Sequence, residues 1–137
     1  MSDQTKVLIV DDEVGFTEML KLNLESVGYK VGIENDSENA IMTARRFNPD
    51  LILLDIIMPK KEGPDVFAEL REHTDFRNTP IIFLTATVTH EEVDTQEGFI
   101  GGRQFIAKPS SLDEILYVIE KNIKLQQSLI QNGKDFI

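Results

Sequence analysis

Five side chains in this sequence could together handle a phosphoryl group: Asp11, Asp12, Asp55, Thr85 and Lys108. Each sits at the end of a predicted strand, three of the four being apolar runs. Asp11 and Asp12 follow Val7-Leu8-Ile9-Val10, and Asp55 follows Leu51-Ile52-Leu53-Leu54. Thr85 follows Ile81-Ile82-Phe83-Leu84, and Lys108 follows Gln104-Phe105-Ile106-Ala107. Three carboxylates in one pocket repel each other, and one stays protonated unless a cation compensates. Hard oxygen ligands in that number suit Mg2+, which takes one or two carboxylates together with waters and a phosphate. Lys108 offers a positive charge to a phosphoryl oxygen, and Thr85 a neutral hydroxyl donor. Asp55 is the candidate nucleophile, because carboxylates form aspartyl phosphates. A cation and Lys108 would stabilise the charge of the group in transfer.

Such a pocket requires the four runs to end at the same place. Apolar runs without alternation predict strands buried on both faces, as in the interior of a parallel sheet. In that arrangement every strand ends at one edge, where open α/β sheets gather ligand chemistry. The intervening segments supply the helices. Phe16, Leu20, Leu24 and Val27 recur at helical spacing, with Asp12 as the expected cap and Gly28 as the stop. A short alternating strand over residues 29–33 follows. Asn35-Asp36-Ser37 offers caps for a second helix striped by Ile41, Ala44 and Phe47 and ended by Asn48-Pro49. Residues 60–64 read as a loop in which Gly63 supplies a permissive backbone and Pro64 opens a third helix carrying Val66, Phe67 and Leu70.

Residues 87–102 give the weakest pattern. Residues 91–97 are polar and stop at Gly98, which predicts a short or loose fourth helix. A last short strand is predicted over 104–107. Ser111 and Glu114 form a capping box before Leu112, Ile115, Leu116, Ile119 and Ile123, the apolar stripe of a final helix. That pattern weakens after Leu125, and residues 133–137 read as frayed. Alternating strands and helices predict an α/β fold: a doubly wound parallel sheet of five strands with five helices. No linker or repeat interrupts residues 1–137, so one domain is expected, with a core over about 6–124 and a helix extension or tail over 126–137.

Composition narrows the chemistry. The 137 residues carry a net charge of −10 and a pI near 4.6, which disfavours nucleic acid and anionic membrane surfaces. The chain has no cysteine, so thiolate chemistry and disulfides are excluded. No apolar run approaches the length of a membrane span, and the N-terminal run is too short for a signal peptide. A cytoplasmic location is the expectation.

Each residue alone has a bland explanation. An acid pair after a strand is usually a helix cap, and a single Asp at a strand end is usually a turn residue. Thr85 alone carries no signal, and a Lys before Pro is usually solvated. What outweighs these readings is that all five fall at predicted strand ends.

Asp11-Asp12, Asp55 with Met58-Pro59 and Gly63, Thr85-Ala86, and Lys108-Pro109 together resemble the signature of the receiver domain of two-component response regulators. The resemblance runs from about Lys6 to about Lys124. It implies a flavodoxin-like fold with strand order 2-1-3-4-5. It implies that Asp55 accepts a phosphoryl group from a sensor histidine kinase or a phosphotransfer protein. Asp12, Asp55 and the backbone carbonyl of Ile57 would bind Mg2+ directly, and Asp11 through water. Thr85 and Lys108 would contact the phosphoryl group. Phe105 takes the family's aromatic switch position, coupled to Thr85. Output would pass through the fourth helix, fifth strand and fifth helix to a downstream protein, with the chain acting as a monomer or weak dimer.

This sequence departs from the common pattern in places. Phe105 has no hydroxyl, so a switch there would depend on packing alone. Ile57 and Thr87 stand where polar or charged groups often tune dephosphorylation, and the aliphatic Ile57 implies slow self-dephosphorylation. Alternatives stay open at this point. An aspartyl-phosphate hydrolase would want an acid at Ile57, and a flavodoxin-type cofactor binder would want a Ser/Thr/Gly-rich loop where Asp11-Asp12-Glu13 stands. A degenerate receiver, acting as an unphosphorylated interaction module, would not need the full set of five.

Overall fold

The computed structural model describes residues 4–86, 99–100, 103–108 and 110–135. In chain order the elements are β1 (Lys6–Val10), α1 (Val14–Ser26), β2 (Lys30–Glu34), α2 (Ala40–Phe47), β3 (Leu51–Leu54), α3 (Gly63–Glu72), β4 (Ile81–Thr85), β5 (Phe99–Ile100), β6 (Arg103–Ala107) and α4 (Leu112–Asp135). Short 3-10 turns at Ser37–Asn39 and Thr74–Phe76 precede α2 and β4.

Five strands pair in parallel in the order β2-β1-β3-β4-β6, which is the expected 2-1-3-4-5 arrangement. The alternation hidden inside the apolar runs divides the core in two. Val7, Ile9, Leu51, Leu53, Ile82 and Leu84 point to one face, against Leu20 and Leu24 of α1 and Ile115 and Ile119 of α4. Leu8, Val10, Ile52, Leu54, Ile81 and Phe83 point to the other, against Ala40 and Ala44 of α2 and Val66 and Leu70 of α3. Residues 7–10, 51–54 and 81–84 of the three central strands are therefore apolar at every position, because their side chains alternate between two covered faces. Burying one such Leu or Ile is worth about 1.5–3 kcal/mol, so the central runs dominate the stability of the sheet.

Several boundaries differ from the sequence expectation. β2 starts at Lys30, and Tyr29 instead packs against the first core cluster. α1 ends at Ser26, and Gly28 takes the positive φ of 105° that the turn requires. Asp12 does not cap α1. Glu13 holds that position and makes no side-chain cap bond, while the neighbouring Asp11 carboxylate accepts the Glu13 N–H. The cap at Asp36 is made: its Oδ1 accepts the Glu38 N–H at 3.0 Å. Ser111 Oγ accepts the Glu114 N–H at 3.1 Å, as the capping box requires.

β5 was not anticipated. It pairs antiparallel to β6 through Phe99↔Gln104 and Ile100↔Arg103, and two residues are too short to show a period. The last helix continues to Asp135, as the helix-extension reading of residues 126–137 allowed, through a stretch of Lys, Leu and Gln that favours helix on intrinsic propensity, and residues 133–135, expected to fray, belong to it. Four α-helices are present among the described residues; the expected short fourth helix falls on residues 87–98, outside them.

Candidate functional site

The strand ladder carries the polar residues just past its end. The Asp11 N–H donates to Glu34 O at 3.1 Å, Asp55 N–H to Val10 O at 3.0 Å, and Lys108 N–H to Thr85 O at 2.9 Å. Backbone pairing thus holds Asp11, Asp55, Thr85 and Lys108 at one edge of the sheet. Asp12 follows in the loop to α1. Asp11, Asp12 and Asp55 each present a carboxylate oxygen, and these oxygens lie within 4.8 Å of one another. Asp11 is 1 % exposed, Asp55 7 % and Thr85 1 %, whereas Asp12 is half-buried.

Lys108 closes the group. Its Nζ donates to Asp11 Oδ2 at 2.6 Å and to Glu13 Oε1 at 2.9 Å, and lies 3.8 Å from Asp55 Oδ2. It also stands 4.4 Å from the centre of the Phe16 ring, whose π face favours a cation. Burial opposes the charge on Lys108. The hydrogen bonds to Asp11 and Glu13, with the charges of Asp11 and Asp55, outweigh it and raise the pKa. Burial pushes the Asp55 carboxyl up, the Asp11 charge adds to this, and Lys108, the Ile56 N–H and Thr85 offset only part. Burial likewise raises Asp11, against the Lys108 and Glu13 hydrogen bonds. One ammonium among these carboxylates leaves the pocket short of positive charge. An all-oxygen donor set with that deficit fits a hard divalent cation.

The loop after Asp55 is shaped by Gly63. A Cβ at Gly63 would lie 2.3 Å from Asp55 O and 2.8 Å from the Ile56 Cα. The Gly63 N–H donates to Ile56 O at 2.7 Å, so the first turn of α3 presses directly on the backbone that carries Asp55. The need for glycine is this close approach rather than the permissive backbone expected from sequence. The Ile56 N–H donates to Asp55 Oδ1 at 2.8 Å and fixes the carboxylate from the same side. Met58 is buried in the second core cluster, while the Ile57 side chain is 59 % exposed.

Phe105 lies half-buried on β6, stacked on Phe83 with ring centres 5.2 Å apart. Phe83 in turn stacks on Phe67 of α3 at 5.6 Å. Arg103 and Arg71 lie 4.3 and 4.9 Å from the centre of the Phe67 ring. The aromatic position is thereby tied to α3 through two stacked rings.

Sequence reasoning missed Glu13 and Phe16 as partners of Lys108, and it read Asn35 only as a cap. Glu13 adjoins the acid pair and could have been grouped with it. Nothing in the sequence pairs Phe16 with Lys108 or Asn35 with Asp11.

The family model for the response regulator receiver domain matches residues 7–120. The transcriptional regulatory protein ResD of Bacillus subtilis (strain 168) is 37 % identical over 116 residues, covering 84 % of this chain and 46 % of that protein. The probable transcriptional regulator ycf27 of Pyropia yezoensis is 36 % identical over 115 residues, 83 % of this chain and 45 % of its own length. The chain thus spans about half the length of these relatives. Among solved structures, the chemotaxis response regulator CheY4 of Vibrio cholerae superposes with a TM-score of 0.74 at 28 % identity, over 88 % of this chain and 99 % of that one. The receiver domain of sensor histidine kinase PA1611 from Pseudomonas aeruginosa PAO1 superposes with a TM-score of 0.75 at 26 % identity, over 89 % and 99 %; that structure has a magnesium ion coordinated in its active site cleft.

Proposed function

Because the chain belongs to the response regulator receiver family, we propose that it is a phosphorylation-controlled signalling switch with Asp55 as the phosphoacceptor. The observation that carries this reading is the meeting of Asp11, Asp12, Asp55, Thr85 and Lys108 at one sheet edge. The donor is a sensor histidine kinase or a phosphotransfer protein. An Asp55 carboxylate oxygen attacks phosphorus as the P–N bond of a phosphohistidine breaks. The bonding electrons return to the imidazole, which leaves as the neutral base or picks up a proton from water. Lys108 turns from Asp11 and Glu13 towards a phosphoryl oxygen, and the Thr85 hydroxyl donates to another. Mg2+ supplies charge neutralisation for the carboxylates and the phosphoryl oxygens when bound. Asp12, Asp55 and the Ile57 carbonyl would hold it directly and Asp11 through water.

The added charge and acceptor oxygens on Asp55 shift the balance between two packings of Thr85 and Phe105. The affected surface comprises β6 and α4, with the fourth helix expected from the sequence, and it meets a downstream protein. This reading takes residues 1–137 as one receiver domain working in the cytoplasm as a monomer or weak dimer, without nucleic acid or membrane. No helix among the described residues is long and apolar enough to cross a membrane.

The test is incubation with a small phosphodonor, with and without Mg2+, followed by intact mass measurement. The expected result is a gain of one phosphoryl group on the wild type that depends on Mg2+ and is absent in Asp55→Asn. Absence of that gain on a folded wild type would replace this reading with an unphosphorylated interaction module.

A further inference from the structure

The loop that carries Asp11 and Asp12 has to hold two acids beside a third. Its carboxylates gain nothing from one another; Lys108 holds the Asp11 side chain, and the backbone of the turn needs a restraint of its own. A bridge from the neighbouring strand end supplies the restraint. Asn35 stands one residue past β2, half-buried, and its Nδ2 donates to the Asp11 backbone carbonyl at 2.7 Å. The same Nδ2 donates to Thr17 Oγ1 at 3.0 Å. Thr17 is fully buried on α1, and its hydroxyl donates to Val14 O at 2.9 Å. One amide and one hydroxyl therefore fix the carbonyls of Asp11 and Val14, at the two ends of the turn that contains Asp12.

The two groups have no slack. The Thr17 hydroxyl gives its only proton to Val14 and accepts from Asn35, and the Asn35 amide spends both donors on this turn. Neither side chain is among the clustered carboxylates, and neither is needed to terminate a strand or cap a helix: the nearby cap is Asp36. Thr17 also places a hydroxyl at a fully buried position of α1.

We propose that Asn35 and Thr17 are positioning residues that preorganise the Asp11–Asp12 turn for a divalent cation. The inference rests on the Mg2+ site of the proposed function and assigns two residues that the motif does not contain. Groups behind metal ligands typically set affinity by 10–100-fold when removed. Loss of the bridge lets the mutually repelling carboxylates spread, which weakens the cation more than it alters chemistry once the cation is bound.

Calorimetric Mg2+ titration of the full chain tests this, using wild type, Asn35→Ala, Thr17→Val and Thr17→Ser. Thr17→Val keeps the shape and removes the hydroxyl, while Thr17→Ser restores it. The expected result is an Mg2+ Kd raised about tenfold in Asn35→Ala and Thr17→Val, and near wild type in Thr17→Ser. The Mg2+ concentration giving half-maximal phosphorylation by a small phosphodonor should rise in parallel, with the rate at saturating Mg2+ within about twofold of wild type. Circular dichroism melts identify any variant that fails to fold; if Asn35→Ala does so, the Thr17 pair decides. A wild type that binds Mg2+ beside folded variants of equal affinity overturns the positioning role alone. So does a saturating rate that falls as far as the affinity, or a Thr17→Ser that behaves as Thr17→Val. A folded wild type that takes no Mg2+ removes the metal site itself, and this inference with it.

Discussion

The Lys108 ammonium is hydrogen-bonded to Asp11 and only ion-paired with Asp55: Nζ lies 2.6 Å from Asp11 Oδ2 and 3.8 Å from Asp55 Oδ2. In this state the lysine chiefly neutralises the acid beside Asp55, the proposed acceptor, which keeps only the longer pairing. Transfer of a phosphoryl group to Asp55 would have to draw Lys108 away from Asp11.

That pairing fixes the cost of losing Lys108. Both side chains are largely buried, 11 % and 2 % exposed, so Lys108→Ala strands the Asp11 carboxylate among other acids. Breaking such a pair costs about 3–5 kcal/mol, with the low end expected where the pocket opens to water. Glu13 makes a bond of similar length from a side chain 62 % exposed, so Glu13→Gln should cost under about 0.5 kcal/mol. Urea denaturation in metal-free buffer measures both. Equal losses would mean that Lys108 is anchored by the surface acid.

Asp55 itself should weaken the metal-free protein. Its folded pKa is raised above the ordinary carboxylate value, by burial first and the Asp11 charge second. A group raised in this way adds stability below its unfolded pKa, and the contribution is lost as pH rises through the folded value. At neutral pH the buried Asp55 carboxyl is therefore a burden. Asp55→Asn should melt a few degrees above wild type without Mg2+, and the difference should narrow as Mg2+ is added to the wild type. At a pH below the ordinary carboxylate range the difference should vanish. Differential scanning calorimetry at the two pH values checks the sign; a less stable Asp55→Asn at neutral pH would contradict it.

The divide between what was legible and what was not follows the range of the interactions. Val7-Leu8-Ile9-Val10 and Leu51-Ile52-Leu53-Leu54 announce strands covered on both faces, and the ends of those strands place Asp11 and Asp55 together. These are local patterns read through one topological rule. The Asn35 amide on the Asp11 carbonyl joins residues 24 positions apart, and the Lys108–Glu13 pair joins residues 95 apart. No periodicity encodes either contact. Asp12 was misread as a cap because cap preference is a local statistic; the helix starts one residue later, with Glu13 at the cap position. β5 was invisible because its two residues gain their identity only from pairing with β6.

Gly63 should be the least replaceable glycine among the described residues. Gly63→Ala places a methyl 2.3 Å from the Asp55 carbonyl oxygen, and both neighbours are backbone. The first turn of α3 must move off the acceptor loop, at about 1–3 kcal/mol as in other overpacked sites. Phosphoryl acceptance should fall too, since the same backbone holds Asp55. Gly15 lies on α1 with open space around its Cβ position, so Gly15→Ala should be neutral or stabilise by up to about 1 kcal/mol. Thermal melts of the pair, with phosphorylation by a small donor, test the contrast. A tolerated Gly63→Ala would show that α3 can slide freely against Asp55.

Ile57 sets the expectation for phosphoryl lifetime. It stands two residues after Asp55, and its side chain is 59 % exposed, outside both core clusters. An aliphatic side chain at this position has no polar atom to orient an attacking water. Loss of phosphate needs a water aligned behind the phosphorus, opposite the Asp55 oxygen that leaves. Ile57→Asn adds a donor and an acceptor at that position without changing a buried contact. Phosphate loss should then accelerate severalfold, while the melting temperature of the unphosphorylated protein stays close to wild type. The measurement is the decay of phosphorylated protein after the donor is removed, at constant Mg2+. Identical lifetimes would place the control of water elsewhere, with Thr87, two residues after Thr85, as the next position to vary.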